Sequence, residues 1–287
     1  MQPGVYPAMV TPMDREGNPD LVSLARLAAW FESQGCKGVV VAGTNGEGPS
    51  LAAVEKRDMV RSLVPTARNL AVVLGIATPS LSEAVWSAEQ AAKAGCTALL
   101  VMPPGYFPEA GGIEAWFVAL ADRSPLPILV YNFPQRVGLT LSSEVLGRLC
   151  SHPNVIGAKD SSGNAGNLAA YRAAVPHGKS LFVGDETLLL AALDEGWSGT
   201  ISGASNLLAA WLAKAVEDFL SGNREAAVAR LDAASGAIAA IRSSQQPSTN
   251  KAALAQLGKI PCPAVRLPLL EGTAGHLTPL LAQLGVQ

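Results

Sequence analysis

A (β/α)8 barrel with an appended C-terminal helical region is the fold class that the sequence predicts, and three observations predict it. Eight short apolar runs recur between Val5 and Gly203. They are rich in β-branched residues and do not alternate with polar ones, as strands covered on both faces should read. Helical patterns fill the gaps between them, and beyond Gly203 only helical patterns continue. Eight strand–helix units in that length fit a somewhat compact α/β barrel. A doubly wound open sheet is the alternative reading.

The elements can be justified in order. Val5–Thr11 is the first strand, and Asp20–Ser33 follows it with Leu21, Leu24, Leu27, Ala28 and Phe31 at helical spacing before Gly35. Gly38–Ala42 is the second strand, with a helix over Val54–Val64. Ala71–Ile76 is the third; Ser80-Leu81-Ser82-Glu83 then has the capping-box form and opens a helix that runs to Gly95. Thr97–Met102 is followed by a helix over Ile113–Asp122, and Pro127–Tyr131 by one over Ser143–Cys150. The sixth strand closes at Lys159, with a helix over Asn167–Val175. Ser180–Gly184 precedes the helix Glu186–Gly196, and Gly199–Gly203 the helix Leu207–Leu220.

Arg224–Arg242 and Lys251–Leu257 read as further helices, with Gln245–Asn250 a turn between them and Pro261–Pro268 a proline-punctuated surface segment. No linker long enough to uncouple them is visible. The division expected is a barrel over residues 1–222 and an extension over 223–287 packed on it as one structural unit.

Composition excludes several classes. With 49% hydrophobic and 15% charged residues and a formal net charge of -2, the 287-residue chain has a well-populated core. It offers no electrostatic case for nucleic acid or an anionic membrane. The apolar runs are too short to span a bilayer, and Met1–Tyr6 has no signal-peptide character, so a cytoplasmic protein is expected. Cys36, Cys96, Cys150 and Cys262 are widely spaced and read as buried inert thiols. His152, His177 and His276 form no metal-spaced cluster, so neither a metal nor a cofactor is expected.

In a barrel, chemistry belongs at the C-terminal ends of strands. The segment Asn154–Gly163 is an apolar strand that ends in Lys159 and turns at Asp160-Ser161-Ser162-Gly163. Alternation puts Val155, Gly157 and Lys159 on one face, and Gly157 leaves room beside the amine. Two readings apply to Lys159. It either caps the strand toward solvent, or it is an amine nucleophile that burial keeps neutral. Lys37 precedes the second strand, and Lys56, Lys93, Lys179, Lys214, Lys251 and Lys259 fall on helices or turns in polar company, so Lys159 alone terminates an apolar strand on the catalytic side. Gly43–Gly48, after the second strand, offers backbone amides suited to an anion, or is an ordinary glycine-rich connection. Tyr131 is either a structural tyrosine or a proton shuttle, and Arg136 either a surface charge or a carboxylate clamp. The loop Pro103–Pro108 presents two aromatics, and Gly184-Asp185 and Gly203–Asn206 end the last strands.

Taken together, Pro7–Pro12, Gly43-Thr44-Asn45-Gly46-Glu47, Tyr131-Asn132-Phe133-Pro134, Gly157-Ala158-Lys159-Asp160, Gly184-Asp185 and Arg266-Leu267-Pro268 resemble the family of Schiff-base aldolases and lyases that includes dihydrodipicolinate synthase and N-acetylneuraminate lyase. The resemblance runs from about Gly4 to Pro268. It implies that Lys159 attacks the ketone of pyruvate or a longer 2-keto acid, giving a protonated Schiff base. It implies further that Tyr131 moves protons, that Thr44 connects that hydroxyl to a relay, and that Thr44 and Asn45 lie in the loop holding the keto-acid carboxylate. Tyr106 matches a relay tyrosine that reaches into a neighbouring subunit, which implies a homo-oligomer, dimer or tetramer. Gly184 and Ile201 match positions whose backbone lines the pocket. Thr44-Asn45, Ser151–Val155 and Lys159-Asp160-Ser161 look more like aldolases of 4-hydroxy-2-oxoglutarate or 2-keto-3-deoxy acids, the preferred reading here. Arg136 matches the residue with which synthases hold aspartate semialdehyde, the alternative. Gly105 stands where lysine-inhibited synthases often have an aromatic, which speaks against feedback by lysine. A reading of another class, a non-catalytic keto-acid binder, is opposed by the joint presence of Lys159, Tyr131, Thr44 and Tyr106.

Overall fold

Each apolar run becomes a parallel strand: β1 Gly4–Pro7, β2 Gly38–Val41, β3 Ala71–Ile76, β4 Ala98–Val101, β5 Ile128–Asn132, β6 Val155–Asp160, β7 Ser180–Val183 and β8 Gly199–Ser202. The computed structural model describes every residue except Pro108 and Gln287, so the last position of the expected Pro103–Pro108 loop lies outside the described residues. The strands pair in the order β1-β8-β7-β6-β5-β4-β3-β2, and a parallel bridge between Ala8 and Val40 brings the two ends of the sheet together. This is the (β/α)8 barrel.

The helices between strands are α1 Leu21–Ser33, α2 Ala53–Leu63, α3 Leu81–Ala94, α4 Ala110–Arg123, α5 Pro134–Val137, α6 Ser143–Ser151, α7 Gly166–Ala174 and α8 Leu189–Asp194, followed by α9 Ser205–Leu220. Local chemistry sets their ends. The Asp20 carboxylate accepts from the amides of Val22 and Ser23, which satisfies donors that the first turn of α1 leaves free. Ser80 caps α3 by accepting from the Glu83 amide, but only half of the expected capping box forms, because the Glu83 carboxylate accepts instead from Thr78 Oγ1 at 3.0 Å.

Two cores result. One fills the lumen with inward side chains, among them Tyr6, Val40, Leu100, Leu129, Phe182 and Ile201. The other lies between the barrel and its helices. Helices α10 Arg224–Arg242, α11 Gln246–Gln256 and α12 Thr278–Gln283 add Ala234, Ile238, Ile241, Leu254 and Leu281 to that outer core.

Two expectations need correction. Gln246–Asn250 is the start of α11 and not a turn. Proline is tolerated in a first helical turn, where its missing N–H costs nothing, and the polar residues after Pro247 are buried against the barrel. The second concerns β6, where alternation breaks. Ile128 pairs with Val155 but Leu129 pairs with Gly157, so Ile156 is an inserted residue. Val155 therefore joins the outer core while Ile156 packs toward the lumen, and Val155 does not share a face with Lys159. Gly157 sits at φ +147°, and a Cβ there would lie 1.8 Å from the Ser180 carbonyl oxygen. It permits strand contact with β7 and is not what leaves room beside the amine.

Gly157→Ala is expected to destabilise the fold by about 2 kcal/mol or more, because both the dihedral and the space are forbidden. Gly111→Ala in α4, where a Cβ meets nothing within 4 Å, should gain about 0.5–1 kcal/mol from helix propensity. Urea unfolding of the two variants checks the contrast; equal midpoints would refute it.

Candidate active site

The site is built from the ends of β2, β5, β6 and β7. At β2 the chain folds back at once: Gly48 N–H donates to the Gly43 carbonyl at 3.0 Å, and Glu47 N–H to the Thr44 carbonyl at 3.2 Å. Thr11 Oγ1 donates to the Gly46 carbonyl at 2.7 Å and pins the turn from β1's side. Thr44 Oγ1 is buried and has no hydrogen-bond partner among the described residues. Asn45 is buried, with its Nδ2 donating to Gln246 Oε1 at 3.3 Å and its Oδ1 accepting from Asn250 Nδ2 at 3.0 Å.

Behind this turn lies a pair that the sequence reading missed. Lys251 was expected in polar company on a helix, yet its side chain is fully buried and ion-paired with the equally buried Glu47. Burial holds Lys251 below the usual lysine range even with Glu47 beside it. The second Glu47 oxygen accepts from the Arg266 N–H at 2.8 Å, and the Arg266 guanidinium grips Glu55 through both nitrogens. The proline-punctuated segment is thus anchored to the barrel at Arg266. Lys56 is also buried rather than solvated, and burial lowers its pKa.

Lys159 stands at the rim of the lumen, 4% exposed, between Tyr131 on β5 and Phe182 on β7. Its Nζ lies 4.1 Å from the centre of the Tyr131 ring, and that ring stacks on Phe133 at 5.6 Å. Contact with an aromatic face partly offsets the loss of water around an ammonium. Gly184 is the residue that makes space for the amine. A Cβ there would lie 3.0 Å from Lys159 Cε and 2.0 Å from Ser161 Oγ.

On the opposite face of the strand ends, Asn132 donates to Asp160 Oδ1 at 2.7 Å and to Tyr171 OH at 3.1 Å. Ser162 Oγ and Asn167 Nδ2 donate to Asp160 Oδ2. Burial and the Asp160 charge push the Tyr171 phenol well above its usual range, so it donates, at 2.6 Å, to the Leu141 carbonyl. The neighbours of Tyr131 and Lys159 are therefore fixed from outside the barrel.

Thr44, Asn45, Tyr131, Arg136, Lys159 and Gly184 line one cavity of about 440 Å³. Arg136, on the short helix α5, is exposed with its guanidinium over the Phe133 ring. Ile201 does not line the cavity; its side chain takes the inward position of β8 and fills the lumen below. Tyr106 does not reach the cavity within one chain. It is 81% exposed and meets Phe107 edge-on. The cavity also holds Ser161, Arg242, Ser244 and Gln246. Arg242 pairs with Asp185 at 2.6 Å and Glu186 at 3.1 Å. An arginine ending an alanine-rich helix, and a Gln-Gln-Pro sequence at the start of another, gave too little signal to find them.

Comparison with known proteins adds to this geometry. The model of the dihydrodipicolinate synthetase family matches residues 1–285. The 4-hydroxy-tetrahydrodipicolinate synthase of Synechococcus sp. (strain CC9311) is 35% identical over 268 residues, which cover 92% of this chain and 88% of that protein. The enzyme of the same name from Prochlorococcus marinus (strain MIT 9313) gives the same figures. Among solved structures, the chloride-inhibited dihydrodipicolinate synthase of Acinetobacter baumannii, complexed with pyruvate, superposes with a TM-score of 0.94 at 26% identity, covering 100% of both chains. The DHDPS of Cyanidioschyzon merolae, with lysine bound, superposes with a TM-score of 0.93 at 30% identity over 99% of each. Sequence and fold agree over nearly the full length: the chain belongs to the dihydrodipicolinate synthetase family.

Proposed function

We propose that the protein forms a Schiff base between Lys159 and pyruvate and condenses it with aspartate semialdehyde, the 4-hydroxy-tetrahydrodipicolinate synthase reaction. The observation that carries this reading is the nearly dry lysine at the lumen rim, its Nζ against Tyr131 and opening on the cavity that Thr44 and Arg136 share. The names of the relatives support condensation over the cleavage reaction that the Thr44-Asn45 motif favoured.

In this reading the Lys159 amine adds to C2 of pyruvate, and water leaves the carbinolamine to give a protonated imine. The imine withdraws electrons, so C3 loses a proton and the resulting enamine carbon attacks the aldehyde carbon, whose oxygen takes up a proton. The semialdehyde's amino group then adds to the regenerated imine and displaces Lys159, which closes the ring and frees the amine. Tyr131 carries protons to and from the reacting oxygen. Thr44 Oγ1, which has no hydrogen-bond partner among the described residues, joins the Tyr131 hydroxyl to the relay. Amides of the Thr44-Asn45 turn hold the keto-acid carboxylate, and Arg136 clamps the carboxylate of the second substrate. Tyr106 from a second copy completes the relay, so the working unit is a homo-oligomer, a dimer or a tetramer.

Asn45 favours a second reading, cleavage of 4-hydroxy-2-oxoglutarate or a 2-keto-3-deoxy acid, because the family's synthases usually carry a hydroxyl residue there. Both readings use Lys159.

Incubation with pyruvate and borohydride should leave a stable adduct on the Lys159 peptide, and none in Lys159→Arg. An unmodified peptide, under conditions that label a control aldolase, would sink both readings. Gly184→Ala should slow adduct formation at least about tenfold while the protein stays folded, since the new methyl crowds the amine. Arg136→Ala should raise KM for aspartate semialdehyde about 10- to 100-fold and leave pyruvate trapping near the parent rate. Pyruvate release from 4-hydroxy-2-oxoglutarate, with no pyruvate consumed alongside the semialdehyde, would transfer the assignment to the aldolase reading.

A further inference from the structure

We propose that helix α11 positions the Thr44 turn for keto-acid binding, with Lys251 acting through Glu47 and Asn250 acting through Asn45. The inference rests on the Schiff-base reading above and assigns Asn250 and Lys251, which do not line the cavity and act through Asn45 and Glu47, which do.

The turn is held at two points by consecutive residues of one helix. Asn250 Nδ2 donates to Asn45 Oδ1 and to the Gly203 carbonyl, both at 3.0 Å. Lys251 meets the Glu47 carboxylate and also donates to the Ala264 carbonyl at 2.7 Å. Glu47 is itself part of the turn. Its amide donates to the Thr44 carbonyl, its carbonyl accepts from the Ser50 amide, and its backbone is left-handed at φ +57°. A non-glycine residue persists in that conformation only where its surroundings over-determine it. Two fully buried charges supply that constraint here.

Stability alone does not explain the pair. Replacing a buried ion pair by apolar groups of similar volume is commonly neutral or stabilising, so the contribution of such a pair lies in geometry. The geometry at stake is close by. Thr44 Oγ1 is buried with no partner among the described residues, three residues from Glu47 and next to Asn45, and it lines the cavity that Lys159 enters. A buried hydroxyl held in this way on a cavity wall is set for a group that enters the cavity.

The test uses the full-length Glu47→Gln/Lys251→Met double variant, which removes both charges and strands neither. The rate of borohydride trapping is measured against pyruvate concentration, with thermal unfolding alongside. The expected result is a folded protein whose half-saturating pyruvate concentration rises about tenfold, with the trapping rate at saturation changed far less. The exposed pair Arg224–Asp194 provides the control, and Arg224→Leu/Asp194→Asn should behave as the parent. A folded double variant with parental half-saturation would reduce the pair to a structural role and overturn the proposal. Should the double variant not fold, Asn250→Val decides. It cuts the adjacent tether and leaves the ion pair, and half-saturation raised several-fold upholds the proposal while an unchanged value overturns it. Absence of any adduct in the parent protein overturns the Schiff-base reading itself, which keeps the two failures distinct.

Discussion

A closed parallel barrel must fill its own lumen, and the site described here depends on how this one is filled. Tyr6 and Phe182 meet edge-on with ring centres 5.2 Å apart, and Leu100, Leu129 and Ile201 pack around them. These close-packed side chains hold those at the next level in place. Lys159 and Tyr131 occupy that next level, directly paired across β5 and β6. Their proximity is thus a property of strand register, which the rest of the barrel enforces. A loop would have to achieve it through its own rigidity.

Polar burial follows the same plan from two sides. Outside the barrel, the Asn132–Asp160–Tyr171 network satisfies the polar groups that flank Tyr131 and Lys159, so the ends of β5 and β6 are fixed without intruding on the cavity. At β2, Glu47, Lys251 and Arg266 do the same for the turn that carries Thr44. Each network places charge where apolar packing would have been simpler. The first flanks Tyr131 and Lys159, and in the second Glu47 itself lines the cavity.

The strands were legible because burial on both faces writes itself as an unbroken apolar run, and Lys159 because an ammonium at the end of such a run is costly. The Ile156 bulge was not legible. A period of two cannot register an inserted residue unless the partner strand is known. The start of helix α11 reads as a turn because Pro, Ser, Thr and Asn favour turns when water is their only partner, and here Asn250 finds its partner Asn45 205 positions away. The same distance hid the burial of Lys251. Tyr106 was legible as an exposed aromatic at a loop, but one chain cannot show what it faces. Pocket walls from the β2 turn, α5, α10 and α11 converge on one cavity, and a linear motif samples them separately. This is why the Thr44-Asn45 motif looks like the aldolases while the relatives matched over the whole chain carry the synthase name.

The tether between α11 and the β2 turn also spans most of the chain. Asn250 and Asn45 are separated by 205 positions, and Arg266 and Glu47 by 219. Barrel closure reaches almost as far, since Gly4 of β1 pairs with Gly199 of β8. Loop-closure entropy grows only with the logarithm of length, so with β1 and β8 already joined the tether adds little further cost. All eight strands precede α11 in the chain, so the residues that make the barrel and those that brace its Thr44 turn are separable in sequence.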